Sequence, residues 1–126
     1  MRVARLVPFA LVVCGCALHH VAPGSRDPDV ITWAEISASN ETTILGVIQK
    51  LHAEYLRDRG QVGIASGSRD VPVVFLNDQE YGAISTLGEF PAHDIEQVRF
   101  YPWHDALIKF GRKYGGGVIQ LITRVD

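Results

Sequence analysis

The side chains suited to acid–base or metal chemistry lie mainly in histidine–carboxylate pairs that are adjacent in the sequence. His93-Asp94 and His104-Asp105 are two such pairs, and His52 lies alone in an apolar stretch. Neighbouring residues of a helix point in different directions, so neither pair is expected to act as a catalytic dyad. The three histidines are far apart in sequence, so only tertiary folding could bring them to one metal ion. We therefore predict no catalytic residues, no metal site and no cofactor.

The two cysteines, Cys14 and Cys16, follow a basic start and a short apolar run. Basic, apolar and then small residues are the order of a secretory signal peptide. The apolar run, residues 6–13, is too short to span a bilayer as a helix. Val13-Cys14-Gly15-Cys16 resembles the lipobox of bacterial lipoproteins, with Cys16 as the acylated residue. Cys14 would follow the bulky Val13, which is atypical for processing, and an ordinary secretory signal that ends in cysteines is the alternative.

The lipobox divides the chain into three parts. Residues 1–15 are the predicted lipoprotein signal peptide, 16–29 a flexible tether rich in proline, glycine and histidine, and 30–126 one folded domain. Each buried methylene of an acyl chain contributes about 0.8 kcal/mol, so several chains on Cys16 would hold the domain on a membrane. We expect a lipid-anchored protein of the bacterial cell envelope, on the outer membrane and facing the periplasm. No cysteine remains for a disulfide in the domain.

Size and charge restrict the partners. The 126 residues suffice for one domain, and the formal net charge is −2. Without the two arginines of the signal segment, ten basic residues face fourteen acidic ones, a charge of −4. A mildly acidic domain has neither the electrostatic footprint of a nucleic-acid-binding protein nor a polybasic patch for anionic lipid.

The pattern of apolar residues and turn signals predicts an α/β (α+β) fold, with a small mixed sheet, one longer helix and several short helices. The longer helix is expected over 41–56, capped by Ser39 or Asn40. A second, amphipathic helix is expected over 103–110, in which Trp103, Leu107 and Phe110 share one face, with Ala106 beside them. Strands are predicted over 30–33, 71–76, 97–101 and 118–123, with a turn at Asn77-Asp78 leading to a short return strand, a turn of helix near 84–87 and a short helix over 91–96.

Three blocks of the closing third, residues 92–98, 105–111 and 116–124, resemble the end of the plug domain of TonB-dependent outer-membrane receptors. In that family a helix ends in Tyr-Gly, and a Gly-Gly-Val-Ile-Asn-Ile strand follows four residues later. Phe110 and Gly111 stand at the Tyr-Gly position, and Gly116, Gly117 and Val118 begin the strand. Residues 44–51 and 73–78 resemble upstream parts of the plug. Of the family's Arg-Gly-Pro only the proline is kept, and no TonB box is recognisable.

The resemblance implies a plug-like fold, with Gly116 and Gly117 letting the chain enter a closely packed central strand. It does not carry over an activity, since fold does not fix function. A receptor barrel needs hundreds more residues, so this sequence is not itself expected to form a channel. One hypothesis is a membrane-anchored module that binds an envelope protein or small ligand through loops 61–69 and 82–91. The others are an uptake component whose outer-membrane barrel is a separate chain, and a non-transport structural module.

Overall fold

A computed structural model describes residues 26–57 and 71–125. The predicted signal peptide, Cys16, most of the predicted tether and the loop 61–69 lie outside these residues. The α-helices are α1 Trp33–Ser39, α2 Ile44–Leu51 and α3 Trp103–Lys109, and the strands are β1 Val30–Thr32, β2 Val73–Leu76, β3 Gln79–Ala83, β4 Ile95–Tyr101 and β5 Val118–Thr123. Short 3-10 helices cover Ala53–Leu56, Ile84–Glu89, Ala92–Asp94 and Arg112–Tyr114.

The strands form one mixed sheet in the order β1-β4-β5-β2-β3. β5 lies at the centre, antiparallel to β4 and parallel to β2, and the other pairs are antiparallel. The predicted mixed α/β fold is therefore confirmed, and the last strand is an interior one. β5 hydrogen-bonds on both sides, and its first four residues, Val118 to Leu121, are buried on both faces of the sheet, which agrees with the apolar run that begins at Val118.

One face of the sheet, the helical face, carries the main core. Alternate residues of β1, β2, β4 and β5 point to this face, where α1, α2 and the first three 3-10 helices cover them. Each fully buried aliphatic or aromatic side chain contributes about 1.5–3 kcal/mol relative to its exposed state. The strands supply Ile31, Val74, Ile95, Val98, Phe100, Ile119 and Leu121, and the helices Ile36, Ile44, Val47, Ile48, Tyr55, Leu87 and Ala92.

The opposite, second face of the sheet is covered over one half by α3 and the 3-10 helix Arg112–Tyr114. Ala106 and Tyr114 lie on Val73, Phe75 and Val118 in a smaller core. The Phe110 ring packs beside this core, 4.6 Å between centroids from Phe75, and so covers that end of the sheet. Trp103 is predicted to share the buried face, but its side chain is 38% exposed. The helix meets the sheet instead through Ala106, a small side chain that permits a close approach.

The first helix of the domain is not predicted by the sequence patterns. The chain is expected to be extended through Trp33, but α1 begins there. The backbone N–H and hydroxyl of Thr32 both donate to the Glu35 carboxylate, each at 3.0 Å. A threonine followed three residues later by a glutamate marks a helix start. The helix therefore begins directly after Thr32, although the residues before it favour a strand.

The predicted caps of the longer helix are wrong. Ser39 and Asn40 end α1 rather than begin α2: the Ser39 hydroxyl donates to Ile36 O at 2.6 Å, and Asn40 has the left-handed φ of +57° typical of a helix C-terminus. Thr43 caps α2 by accepting from the Gly46 N–H at 3.3 Å. The helix is also shorter than predicted, because it ends at Leu51, with His52 as its C-cap, and the chain continues as a 3-10 turn.

Turns in the second half of the chain follow the prediction more closely. Asn77 adopts a φ of +53° in the turn between β2 and β3. Gly111 follows α3 with a φ of +108°, and Gly117 enters β5 with a φ of +98°. A Cβ on Gly117 would lie 2.9 Å from Tyr101 O, so the close packing predicted for the glycine pair falls on this residue. The predicted helix 91–96 is a 3-10 turn only to Asp94, after which β4 begins.

Candidate functional site

The second face of the sheet carries a row of side chains from β1, β4 and β5. Val30 lies directly opposite Arg99, and Arg99 directly opposite Gln120. In the next row towards the other end of the strands, Thr32 is paired with Gln97, and Gln97 with Ile122. Residues directly opposite each other in a sheet point to the same side, so both rows lie on the second face.

Five of these side chains form a surface that we call the open face, namely Val30, Thr32, Gln97, Arg99 and Ile122. Each is half-buried or exposed, and none belongs to the main core or the smaller core. Among the described residues, α3 covers the neighbouring half of the second face and stops short of this one. The open face is held by three hydrogen-bonded strands, so its side chains are presented on a rigid support.

Arg99 is the cation of the open face. Its side chain is half-buried, and within residues 26–57 and 71–125 it has neither a hydrogen bond nor an ion pair. A guanidinium carries five N–H donors, and buried polar groups usually find partners. Arg99 lines a cavity of about 400 Å³ at the β1 side of the open face, together with Arg26, Asp27, Val30, Thr32, Ala34 and Glu35.

The two carboxylates of this cavity already accept hydrogen bonds from nearby residues. Glu35 accepts from the Thr32 backbone and hydroxyl, and Asp27 accepts from the Asp29 N–H at 3.1 Å. The Thr32 backbone hydrogen bond is the main cause that lowers the pKa of Glu35 below its ordinary value, with Arg26 adding to the effect. Arg26 lies 3.8 Å from the Glu35 carboxylate and is 86% exposed. Within the part of the chain that the structure describes, the cavity therefore presents one charge without a partner, the Arg99 guanidinium.

The free edge of β1 does not offer a place for another strand. Phe100 donates to Asp29 O, so the alternation of an antiparallel pair points the N–H groups of Val30 and Thr32 away from β4. The Val30 N–H donates to Asp27 O at 3.1 Å, and the Thr32 N–H donates to Glu35. Because both outward donors are used within the chain, an added strand would find no free N–H group on this edge.

Gln120 separates the open face from the smaller core. Its side chain is only 5% exposed, and its amide is fully engaged. Tyr101 Oη and Lys109 Nζ donate to its oxygen at 3.0 and 3.4 Å. Its nitrogen donates to Asn77 O and, at 3.2 Å, to Asp78 Oδ1. The network ties α3 and the β2–β3 turn to the sheet, and we assign it a structural role.

The three described histidines, His52, His93 and His104, do not come together. His52 pairs with Glu54 at 2.8 Å and stacks on Tyr55. His93 and His104 contact their neighbours Asp94 and Asp105 at 3.1 and 3.3 Å, contrary to the expectation that adjacent residues point apart. The side chains of each pair turn towards each other in solvent, with every partner more than half exposed. The part of the chain that the structure describes holds no group of three or more histidine, cysteine or acidic side chains placed to bind a metal ion.

The predicted fold-motif residues lie around the smaller core. Gly111, Gly116 and Gly117 lie between α3 and β5, which begins at Val118, and Phe110 packs against the smaller core at the end of α3. The predicted binding loop 82–91 is largely regular structure, since β3 reaches Ala83 and a 3-10 helix with the buried Leu87 follows. The prediction missed Arg99. The alternation of Gln97 and Arg99 with buried Val98 and Phe100 is the signal that marks a polar strand face.

No protein-family model, no curated protein and no solved structure matches this chain. None of the helices within residues 26–57 and 71–125 has the length and apolar character needed to cross a membrane.

Proposed function

We propose that this protein is an interaction module of the bacterial cell envelope, which a lipid on Cys16 holds at the membrane and which binds its partner or ligand through the open face. The observation that carries this proposal is the half-buried Arg99, which lies on a rigid sheet and has no partner among the described residues. Partial burial of a guanidinium removes some of the water molecules that hydrogen-bond to it. A bound acidic group would replace those hydrogen bonds.

The resemblance to receptor plugs supports an envelope location and links the proposal to TonB-dependent uptake across the outer membrane. In that form of the proposal, the partner is an outer-membrane barrel on a separate chain. The anchor would keep the domain within reach of such a barrel, because tethering raises the effective concentration of two partners without any new contact.

Site-specific photocrosslinking in intact cells tests the proposal. A photoreactive phenylalanine analogue replaces Ile122 or Gln97 on the open face, and in a matched variant it replaces Leu51, which is 39% exposed on α2 on the opposite side of the sheet. We expect discrete adducts from the two open-face positions and none from Leu51. Mass spectrometry of the adducts would then show whether the partner is an outer-membrane barrel.

Adducts from Leu51 but not from the open face would contradict the assignment of the binding surface. Absence of adducts from all three positions, in cells where the variants fold and reach the membrane, would contradict a protein partner at the open face. If the open face also binds no small ligand, the proposed function is wrong and a structural role in the envelope is favoured.

A further inference from the structure

We propose that the cavity at Arg99 binds the carboxylate of a small amphipathic molecule. This inference rests on the proposed function in one respect, that the open face is a binding surface, and it deepens that function by naming the ligand class. The Arg99 guanidinium would take the carboxylate, and the apolar part of the ligand would lie on Val30 and Ala34.

The shape of the guanidinium favours a planar acceptor. Its parallel N–H groups match the two oxygens of a carboxylate, and such bidentate pairs are among the stronger hydrogen bonds of proteins. Since Arg99 is half-buried between Val30 and Gln120, its side chain is restrained by the strands on either side. A restrained donor loses less conformational freedom when a ligand binds.

The charges around the cavity favour a monoanion. Asp27 and Glu35 also line it, so a doubly charged group such as phosphate would meet two carboxylates as well as the arginine. A single carboxylate would meet less repulsion. Arg26, which is mostly exposed at the rim, adds a second cation on the approach side.

The size of the cavity and the blocked edge of β1 favour a small molecule over an extended peptide. A volume of about 400 Å³ falls within the range of small-ligand pockets. A peptide strand would need the outward N–H groups of Val30 and Thr32, and both donate within the chain. The lining offers apolar surface from Val30 and Ala34 beside the charge, which suits a ligand with a short hydrocarbon part.

Titration of the full-length chain with butanoate tests this inference, with butanamide as the neutral probe of the same size. We expect butanoate to shift the nuclear magnetic resonances of the Arg99 side-chain N–H and of the Val30 and Ala34 amides, and butanamide to leave them nearly unchanged. Arg99→Gln should weaken butanoate binding by about tenfold to hundredfold, as expected for a lost charge-assisted pair. Arg112→Gln removes an exposed arginine from the far end of the second face and should leave binding unchanged.

Equal shifts with butanoate and butanamide, or unchanged binding by the Arg99→Gln variant, would overturn the carboxylate site. So would shifts that map to Arg112 and Lys113 rather than to the cavity. Photocrosslinks from Ile122 and Gln97 alongside any of these results would mean that the open face binds a protein but not a small carboxylate. Binding of butanoate without photocrosslinks would instead support the site and contradict a protein partner.

Discussion

Replacement of Gly117 with alanine should destabilise the domain more than the same replacement at Gly111 or Gly88. Gly117 combines two constraints: a φ of +98° and a position where an added Cβ would lie 2.9 Å from the backbone oxygen of Tyr101 and 3.4 Å from the Phe100 ring. A positive φ costs an alanine about 1–2 kcal/mol, and forcing a methyl group into packed structure typically costs about 1–3 kcal/mol more. The sum, about 2–5 kcal/mol, is a large part of a typical domain stability of about 5–15 kcal/mol.

The two other glycines separate the two constraints. Gly111 has a φ of +108° and a ψ of 172°, a combination that is essentially restricted to glycine, but no atom lies within 4 Å of an added Cβ, so Gly111→Ala should cost about 1–3 kcal/mol. Gly88 has no positive φ and only an ordinary contact, 3.8 Å to Leu45, so Gly88→Ala should change stability by less than about 1 kcal/mol. The bulkier Gly117→Val should leave the domain unfolded.

Urea denaturation followed by circular dichroism measures the three free energies of unfolding. The predicted order of loss is Gly117→Ala, then Gly111→Ala, then Gly88→Ala. Equal losses at Gly117 and Gly111 would refute the steric part of the reasoning. A loss at Gly117 no larger than at Gly88 would refute the close approach of β5 to Tyr101 altogether.

Three further changes test the anchor, a pH-dependent cap and the start of the domain. Cys16→Ser should move the protein from the membrane fraction to the soluble fraction, whereas Cys14→Ser should not; retained membrane binding in the Cys16 variant would contradict the anchor. The Glu35 carboxylate has a pKa below its ordinary value of 4.5, mainly because the Thr32 N–H donates to it, so it stabilises the fold at neutral pH and loses that effect as the pH falls below that value. Glu35→Gln should therefore lower the urea midpoint clearly at pH 7 and much less at pH 3; an equal loss at both would refute the charge effect. The Tyr55 hydroxyl donates to Pro28 O, so Tyr55→Phe should cost about 0.5–1.5 kcal/mol in urea titrations. An unchanged midpoint would mean that Pro28 does not contribute to the fold.

The elements of the second half of the chain can be predicted because local signals and tertiary structure agree there. Asn77-Asp78 favours a tight turn, Gly111 ends α3, and the apolar run that starts at Val118 can only be satisfied inside a sheet. The α/β fold follows from these elements, since the apolar strands β2 and β5 need helices on both faces of the sheet.

The first half of the chain is harder to predict because Ser39 and Asn40 are compatible with either end of a helix. Ser39 and Asn40 suit the start of a helix, but serine and asparagine also suit its end, and the structure uses them to end α1. The pair Thr32 and Glu35 carries the signal that distinguishes the two, since it places a helix start at Trp33. The segment predicted as tether also ends earlier than expected, because Pro28 and Asp29 bond to Tyr55 and Phe100.

The open face cannot be predicted from local patterns alone. Val30 and Arg99 become neighbours only because β1 pairs with β4, and Gln120 joins them only because β5 lies on the other side of β4. Strand order over such sequence distances depends on the packing of the whole sheet. The periodic alternation in β4 can show that Arg99 faces away from the main core, but not that it would lack a partner among the described residues.

Chemical modification of arginine in native membranes tests most directly whether the open face is where this domain binds. Phenylglyoxal labelling would be compared between the purified full-length protein and envelope vesicles from cells that contain it, with the extent at Arg99 and Arg112 read by mass spectrometry. We predict that Arg99 is labelled more slowly in the vesicles than in the purified protein, while the exposed Arg112 is labelled at the same rate in both. Equal labelling of Arg99 in the two preparations, or a parallel slowing of both arginines, would contradict the proposal.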